Sequence, residues 1–146
     1  MTLRSHMEQR LKETLPSRRR ILIIDDETPF AEAVAEYFRD AECEAHFVSS
    51  VRDAMKEIRS FDPDVVIADI RMPDAGGLDL LELLRGTGDH RVVIIVTAYG
   101  DIHQVWRALH FEADGFLRKP VDMEQLVRLV DDAVSRKTKT GGKPTA

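Results

Sequence analysis

The chain has 146 residues, 43% of them hydrophobic, and a formal net charge of −5, which suits one ordinary domain with a sizeable core. The acidic balance argues against general nucleic-acid binding. The single cysteine, Cys43, excludes an internal disulfide, and no apolar run approaches the roughly 20 residues of a membrane helix. No secretory signal pattern opens the chain, so the expected setting is soluble, reducing and cytoplasmic.

Residues 1–19 are polar and read as an extension; Ser5-His6-Met7 resembles an expression-vector scar, and Arg18-Arg19-Arg20 leads into the first apolar run. That run, Ile21–Ile24, is β-branched and continuous rather than alternating, the pattern of a strand buried on both faces. A helix is expected next, with Phe30, Val34, Tyr37 and Phe38 at helical spacing behind Thr28 and Pro29, since proline suits a first turn. A weaker strand, Ala45–Val48, precedes a second helix carrying Val51, Ala54, Met55 and Ile58, with Ser49 or Ser50 as N-cap. Val65–Ala68 is the next buried strand, followed by a leucine-rich helix over Leu78, Leu81 and Leu84 that Gly86 and Gly88 stop. Val92–Val96, a helix through Ile102, Val105, Trp106 and Leu109, the short strand Gly115–Leu117, and a helix through Leu126, Leu129, Val130 and Ala133 complete five βα units. Strands alternating with helices in this way predict an α/β, doubly wound parallel sheet with helices on both faces. After Ser135 the composition turns to Lys, Thr, Gly and Pro, so the expected division is 1–19 extension, 20–136 domain, 137–146 flexible tail or linker.

In an open parallel sheet, ligands bind beyond the carboxyl ends of the strands. The residues there are Asp25-Asp26-Glu27 after the first strand, Asp69 after the third, Thr97-Ala98 after the fourth and Lys119-Pro120 after the fifth. Taken singly, each has an ordinary reading: a turn or cap carboxylate, a strand-end hydroxyl, a solvated lysine. Jointly they predict crowded carboxylates that need a cation. Mg2+, a hard ion for oxygen ligands, suits them, and Lys119 and Thr97 are suited to phosphate oxygens.

The blocks Ile23-Ile24-Asp25-Asp26-Glu27, Asp69-Ile70-Arg71-Met72-Pro73 with Gly77, Thr97-Ala98-Tyr99-Gly100 and Phe116-Leu117-Arg118-Lys119-Pro120 resemble the receiver domain of bacterial two-component response regulators, over about residues 20–136. The resemblance implies a flavodoxin-like five-stranded sheet of order 2-1-3-4-5 with five helices. It implies Asp69 as phosphoacceptor, and a Mg2+ held by Asp26, Asp69 and the Arg71 backbone carbonyl, with Asp25 acting through water. It also implies Lys119 as charge clamp, a cis peptide before Pro120, and Thr97 with Phe116 as the switch. The implied function is a signalling switch, not a turnover enzyme. It would be charged by a histidine kinase or phosphotransfer protein and be capable at most of self-phosphorylation from small donors and autodephosphorylation. Its readout would be the surface of the fourth helix, fifth strand and fifth helix, where two copies could pair. No direct nucleic-acid or membrane binding is implied. The output partner is open, and the chain reads either as a stand-alone receiver or as the N-terminal fragment of a larger transcription regulator. An Asp-nucleophile phosphatase of the haloacid dehalogenase type is disfavoured, because that class places two acids with one residue between them at its first strand end, whereas Asp25 and Asp26 are adjacent and Asp69 follows a later strand.

Four local expectations accompany this reading. Tyr99 and Arg71, each two residues past a site residue, are expected to restrict attacking water. Glu112 stands where relatives often have a glycine cap, so the turn there is expected to differ. Trp106 is expected to be half-buried packing. The five histidines, His6, His46, His90, His103 and His110, show no metal spacing.

Overall fold

The computed structural model describes residues 18–98 and 102–139. Its strands are β1 (Arg20–Ile24), β2 (Glu44–Val48), β3 (Val65–Ala68), β4 (Val92–Thr97) and β5 (Gly115–Arg118). They alternate with helices α1 (Thr28–Asp40), α2 (Val51–Ser60), α3 (Gly77–Gly86), α4 (Ile102–His110) and α5 (Met123–Lys139). All pairings are parallel and the order is β2-β1-β3-β4-β5. The expected architecture is therefore the observed one, and each expected strand lies within an observed strand.

The continuous apolar runs are explained by two separate cores. Ile21 and Ile23, Val65 and Ile67, and Val92, Ile94 and Val96 face α1 and α5, packing on Val34, Phe38, Leu126 and Val130. The intervening residues Leu22, Ile24, Val66, Ala68, Val93 and Ile95 face the other way, toward Ile58 of α2, Leu81 of α3 and Ala108 of α4. Successive side chains in a strand point to opposite faces, so both sets must be apolar.

The helix ends follow local chemistry. Pro29 sits in the first turn of α1, and the Ser50 hydroxyl caps α2 by accepting from the Asp53 amide at 3.1 Å. Gly88, at φ +80°, takes the left-handed turn after α3, whereas Gly86 is still helical. The expectation for Glu112 is corrected. It takes the left-handed conformation itself, at φ +59°. Its amide donates to the Leu109 carbonyl and that of Ala113 to the Ala108 carbonyl, the paired bonds of a Schellman cap. Trp106 is corrected too: it is 65% exposed, because it lies on the flank of α4 away from the sheet.

Candidate functional site

The parallel register brings the carboxyl ends of β1, β3, β4 and β5 to one edge, and the singled-out polar residues meet there. Asp25 and Asp69 are each 6% exposed or less and Thr97 is fully buried, while Asp26 is open to solvent. One carboxylate oxygen from each of Asp25, Asp26 and Asp69 lies within 4.8 Å of the others, the one such acidic cluster among the described residues. Three carboxylates at that spacing repel strongly in a partly buried setting. Their hard-oxygen chemistry and mixed burial fit a Mg2+ ion that keeps some of its water.

Lys119 supplies the balancing charge from the other side. Its Nζ is 2.7 Å from Asp25 Oδ2 and 3.1 Å from Asp69 Oδ2, with Glu27 Oε1 further out at 3.8 Å. Burial opposes the ammonium charge, but the hydrogen bonds and charges of Asp25 and Asp69 outweigh it and raise the Lys119 pKa. Asp25 is pushed above the ordinary 3.8 because burial outweighs the Lys119 bond and the Glu27 amide. The contact is lopsided: one ammonium serves two carboxylates, so Lys119 gains more from the pair than Asp25 does. The 2.7 Å contact with Lys119 works against that rise by favouring the anion.

The lysine has partners at both its backbone and its side chain. The Lys119–Pro120 peptide is cis, as the resemblance implied, and the Lys119 amide donates to the Thr97 carbonyl at 3.0 Å. Its Nζ also lies 4.4 Å from the ring centroid of Phe30, a cation–π distance. Sequence reading placed Phe30 only as a core residue of α1; its spacing gives no hint that the ring reaches a lysine 89 positions away.

The acceptor loop is closely packed. Asp69 Oδ1 accepts from the Arg71 amide at 3.2 Å, and Gly77 N donates to the Ile70 carbonyl at 3.0 Å. A Cβ at Gly77 would stand 2.1 Å from the Asp69 carbonyl oxygen, so no side chain fits there without moving the acceptor's own backbone. Phe116 is half-buried at the border of the core cluster under α2, α3 and α4, and lines a groove between β5 and α5 with Leu117 and Leu129. Tyr99 lies outside the described residues. His46 pairs with Glu57 and stacks on Phe61, a packing role.

Residues 21–131 match the family described as the response regulator receiver domain. This chain belongs to that family. Over 115 residues it is 33% identical to the regulatory protein AtoC of Escherichia coli, which covers 79% of this chain and 25% of that protein. It is equally 33% identical to the response regulator PilR of Pseudomonas aeruginosa, over 81% of this chain and 26% of that protein. The receiver domain of a LuxO repressor from Vibrio parahaemolyticus superimposes with a TM-score of 0.79 at 28% identity, covering 85% of this chain and 95% of that one. A CheY-like receiver from Methanospirillum hungatei shares the fold, with a TM-score of 0.80. The chain spans from about a quarter to about half of the length of the curated relatives it matches (25% to 55%). It is thus a receiver domain of two-component signal transduction, a signalling module rather than a conventional turnover enzyme. Among the described residues no helix is long and apolar enough to cross a membrane.

Proposed function

We propose that Asp69 is the phosphoryl acceptor and that its phosphorylation switches the α4–β5–α5 surface. The observation that carries this reading is the contact of Lys119 Nζ with Asp69 Oδ2 at 3.1 Å, inside the only acidic cluster among the described residues. A Mg2+ ion held by Asp26, Asp69 and the Arg71 carbonyl, with Asp25 reaching it through water, would supply positive charge for the phosphoryl oxygens. The protein's own groups do the rest. An Asp69 carboxylate oxygen attacks the phosphorus of a kinase phosphohistidine in line; the O–P bond forms as the P–N bond breaks, and the imidazole leaves and takes up a proton. Lys119, already charged and aimed, exchanges its Asp69 contact for a phosphoryl oxygen.

The acyl phosphate adds negative charge and acceptor oxygens beside Thr97. Thr97 turns its hydroxyl toward them, and half-buried Phe116 moves into the space released. The α4–β5–α5 face then shifts between two populations. This face is the proposed site for an output partner or for a second copy of the chain. The upstream partner is a histidine kinase or phosphotransfer protein, and the compartment the cytoplasm. We take 20–136 as the receiver, with 1–19 an extension and 137–146 a tail or the start of a linker, into which α5 continues as far as Lys139. Self-phosphorylation from small donors and slow self-hydrolysis are the only turnover expected, with Arg71 and Tyr99 restricting the attacking water.

Intact mass after incubation with acetyl phosphate and Mg2+ tests the reading. One phosphoryl group should be gained by the parent chain and none by Asp69→Asn. Equal gain in both would reject Asp69.

A further inference from the structure

The β3–α3 loop, residues 71–76, is pinned at its stem by the antiparallel Arg71–Gly76 bridge and by the Gly77 amide bond to the Ile70 carbonyl. Its tip is held by a different element. Asp74 Oδ1 accepts from the Val51 amide at 3.0 Å and Asp74 Oδ2 from the Arg52 amide at 2.9 Å, both in the first turn of α2. The next amide, of Asp53, goes to the Ser50 hydroxyl, and that of Ala54 makes the first regular helical bond, to the Ser50 carbonyl. A helix N-terminus leaves four amides without intrahelical partners. Of those in α2, the Asp53 amide is satisfied by the Ser50 hydroxyl and the Val51 and Arg52 amides by the loop that follows the acceptor aspartate.

We propose that Asp74 is a positioning residue of the acceptor site, fixing the loop that carries the Arg71 carbonyl by clamping it to the start of α2. This rests on the metal-site reading above and deepens it. Both carboxylate oxygens are used and both bonds are charge-assisted, so the loop tip has a defined place relative to β1 and β3. Backbone hydrogen bonds from Arg52 and then Val51 hold the Asp74 carboxyl below its ordinary range, the mark of an anion stabilised by that helix end. A ligand carbonyl on a loop anchored at one end only would have to be ordered each time metal binds. Anchoring both ends settles that cost at folding. A role confined to α2 would make Asp74 and Ser50 interchangeable; a role toward the metal would not.

Magnesium titrated into metal-free protein, followed by the amide resonances around Asp26 and Asp69, separates these roles. Asp74→Ala should weaken Mg2+ binding about tenfold, the low end for outer partners of metal ligands. Asp74→Asn, which keeps one accepting oxygen, should fall between. Ser50→Ala should lower the melting temperature through the same helix end yet leave Mg2+ affinity at the parent value. Parent-like affinity in both Asp74 variants, or an equal loss in Ser50→Ala, would overturn the proposal. A parent chain that binds no Mg2+ would instead overturn the metal-site reading itself, and this inference with it.

Discussion

At the scale of single residues the site is a balance of charges, and Asp25 is where the balance is least comfortable. It is 2% exposed and shares one ammonium with Asp69. Asparagine there keeps an oxygen for one of its two donors, Lys119 or the Glu27 amide, and removes the buried charge. In chelator, Asp25→Asn should therefore melt about 3 °C higher than the parent. Adding Mg2+ should stabilise the parent more than the variant. The sign with pH follows from the raised pKa of this acid: protonation favours the fold, fully below 3.8, and that advantage is lost as pH rises through the folded-state value. The gap between variant and parent should thus be smallest near about pH 4 and widest near about pH 7. Scanning calorimetry at both pH values checks it; a variant that melts lower at neutral pH would contradict the picture. The residues that meet at this site were legible because strand ends in a parallel sheet converge by topology, so Asp25, Asp26, Asp69, Thr97 and Lys119 could be grouped unseen. Phe30 and Asp74 were not legible. Each acts across a long sequence separation, and each has a sufficient local reading, as a helix core residue and as a turn acid.

At the scale of elements, the buried strands and the helix phases could be read from the apolar pattern because each strand serves two cores. The helix ends could be read only in part. Ser50 and Gly88 obey propensity, whereas Glu42, Asp62 and Glu112 adopt left-handed turns, at φ +64°, +51° and +59°, without a glycine, and only Asp62 is of a type that tolerates them. At Glu112 the compensating contact is visible. The Arg85 guanidinium, 7% exposed, donates through Nη2 to the Glu112 carbonyl at 3.0 Å and to Asp114 Oδ2 at 3.0 Å. Its Nη1 donates to the Asp89 and Arg91 carbonyls at 3.0 and 2.8 Å. One α3 side chain thus ties together the turns before β4 and before β5. Glu112→Gly, which keeps that carbonyl and removes the left-handed penalty, should stabilise the domain by about 1 kcal/mol. Arg85→Met should cost about 2 kcal/mol, because the Glu112 and Asp89 carbonyls lose their guanidinium donor while Asp114 keeps Lys137 and the Val93 amide. Urea titrations measure both; a destabilised Glu112→Gly would show that the Glu112 side chain itself holds the turn.

At the scale of the whole molecule, the two cores lie back to back on one sheet, and what remains conspicuous is one outer flank of α4. Arg107 reaches α3, where it bonds Asp79 and Glu82 at 2.8 and 3.2 Å, so that side of α4 is occupied. Trp106 lies about 100° further round the helix, and it and Leu109 are 65% and 62% exposed. Two large apolar side chains together on a helix surface fit contact with another protein. The switching surface proposed above includes this helix, so its covering should depend on the state of Asp69. With Mg2+ and beryllofluoride as phosphoryl mimic, we expect the chain to sediment as a dimer through this face, with Trp106 emission moving to shorter wavelength as water leaves the indole. Trp106→Ala should fold with parent stability, since the side chain is already outside the core, and should weaken the activated dimer at least about tenfold, as loss of a buried aromatic anchor does. Dimerisation of the Trp106→Ala protein at parent affinity would remove this flank of α4 from the interface. A parent chain that stays monomeric under beryllofluoride while its Trp106 emission still shifts would assign the flank to a different partner.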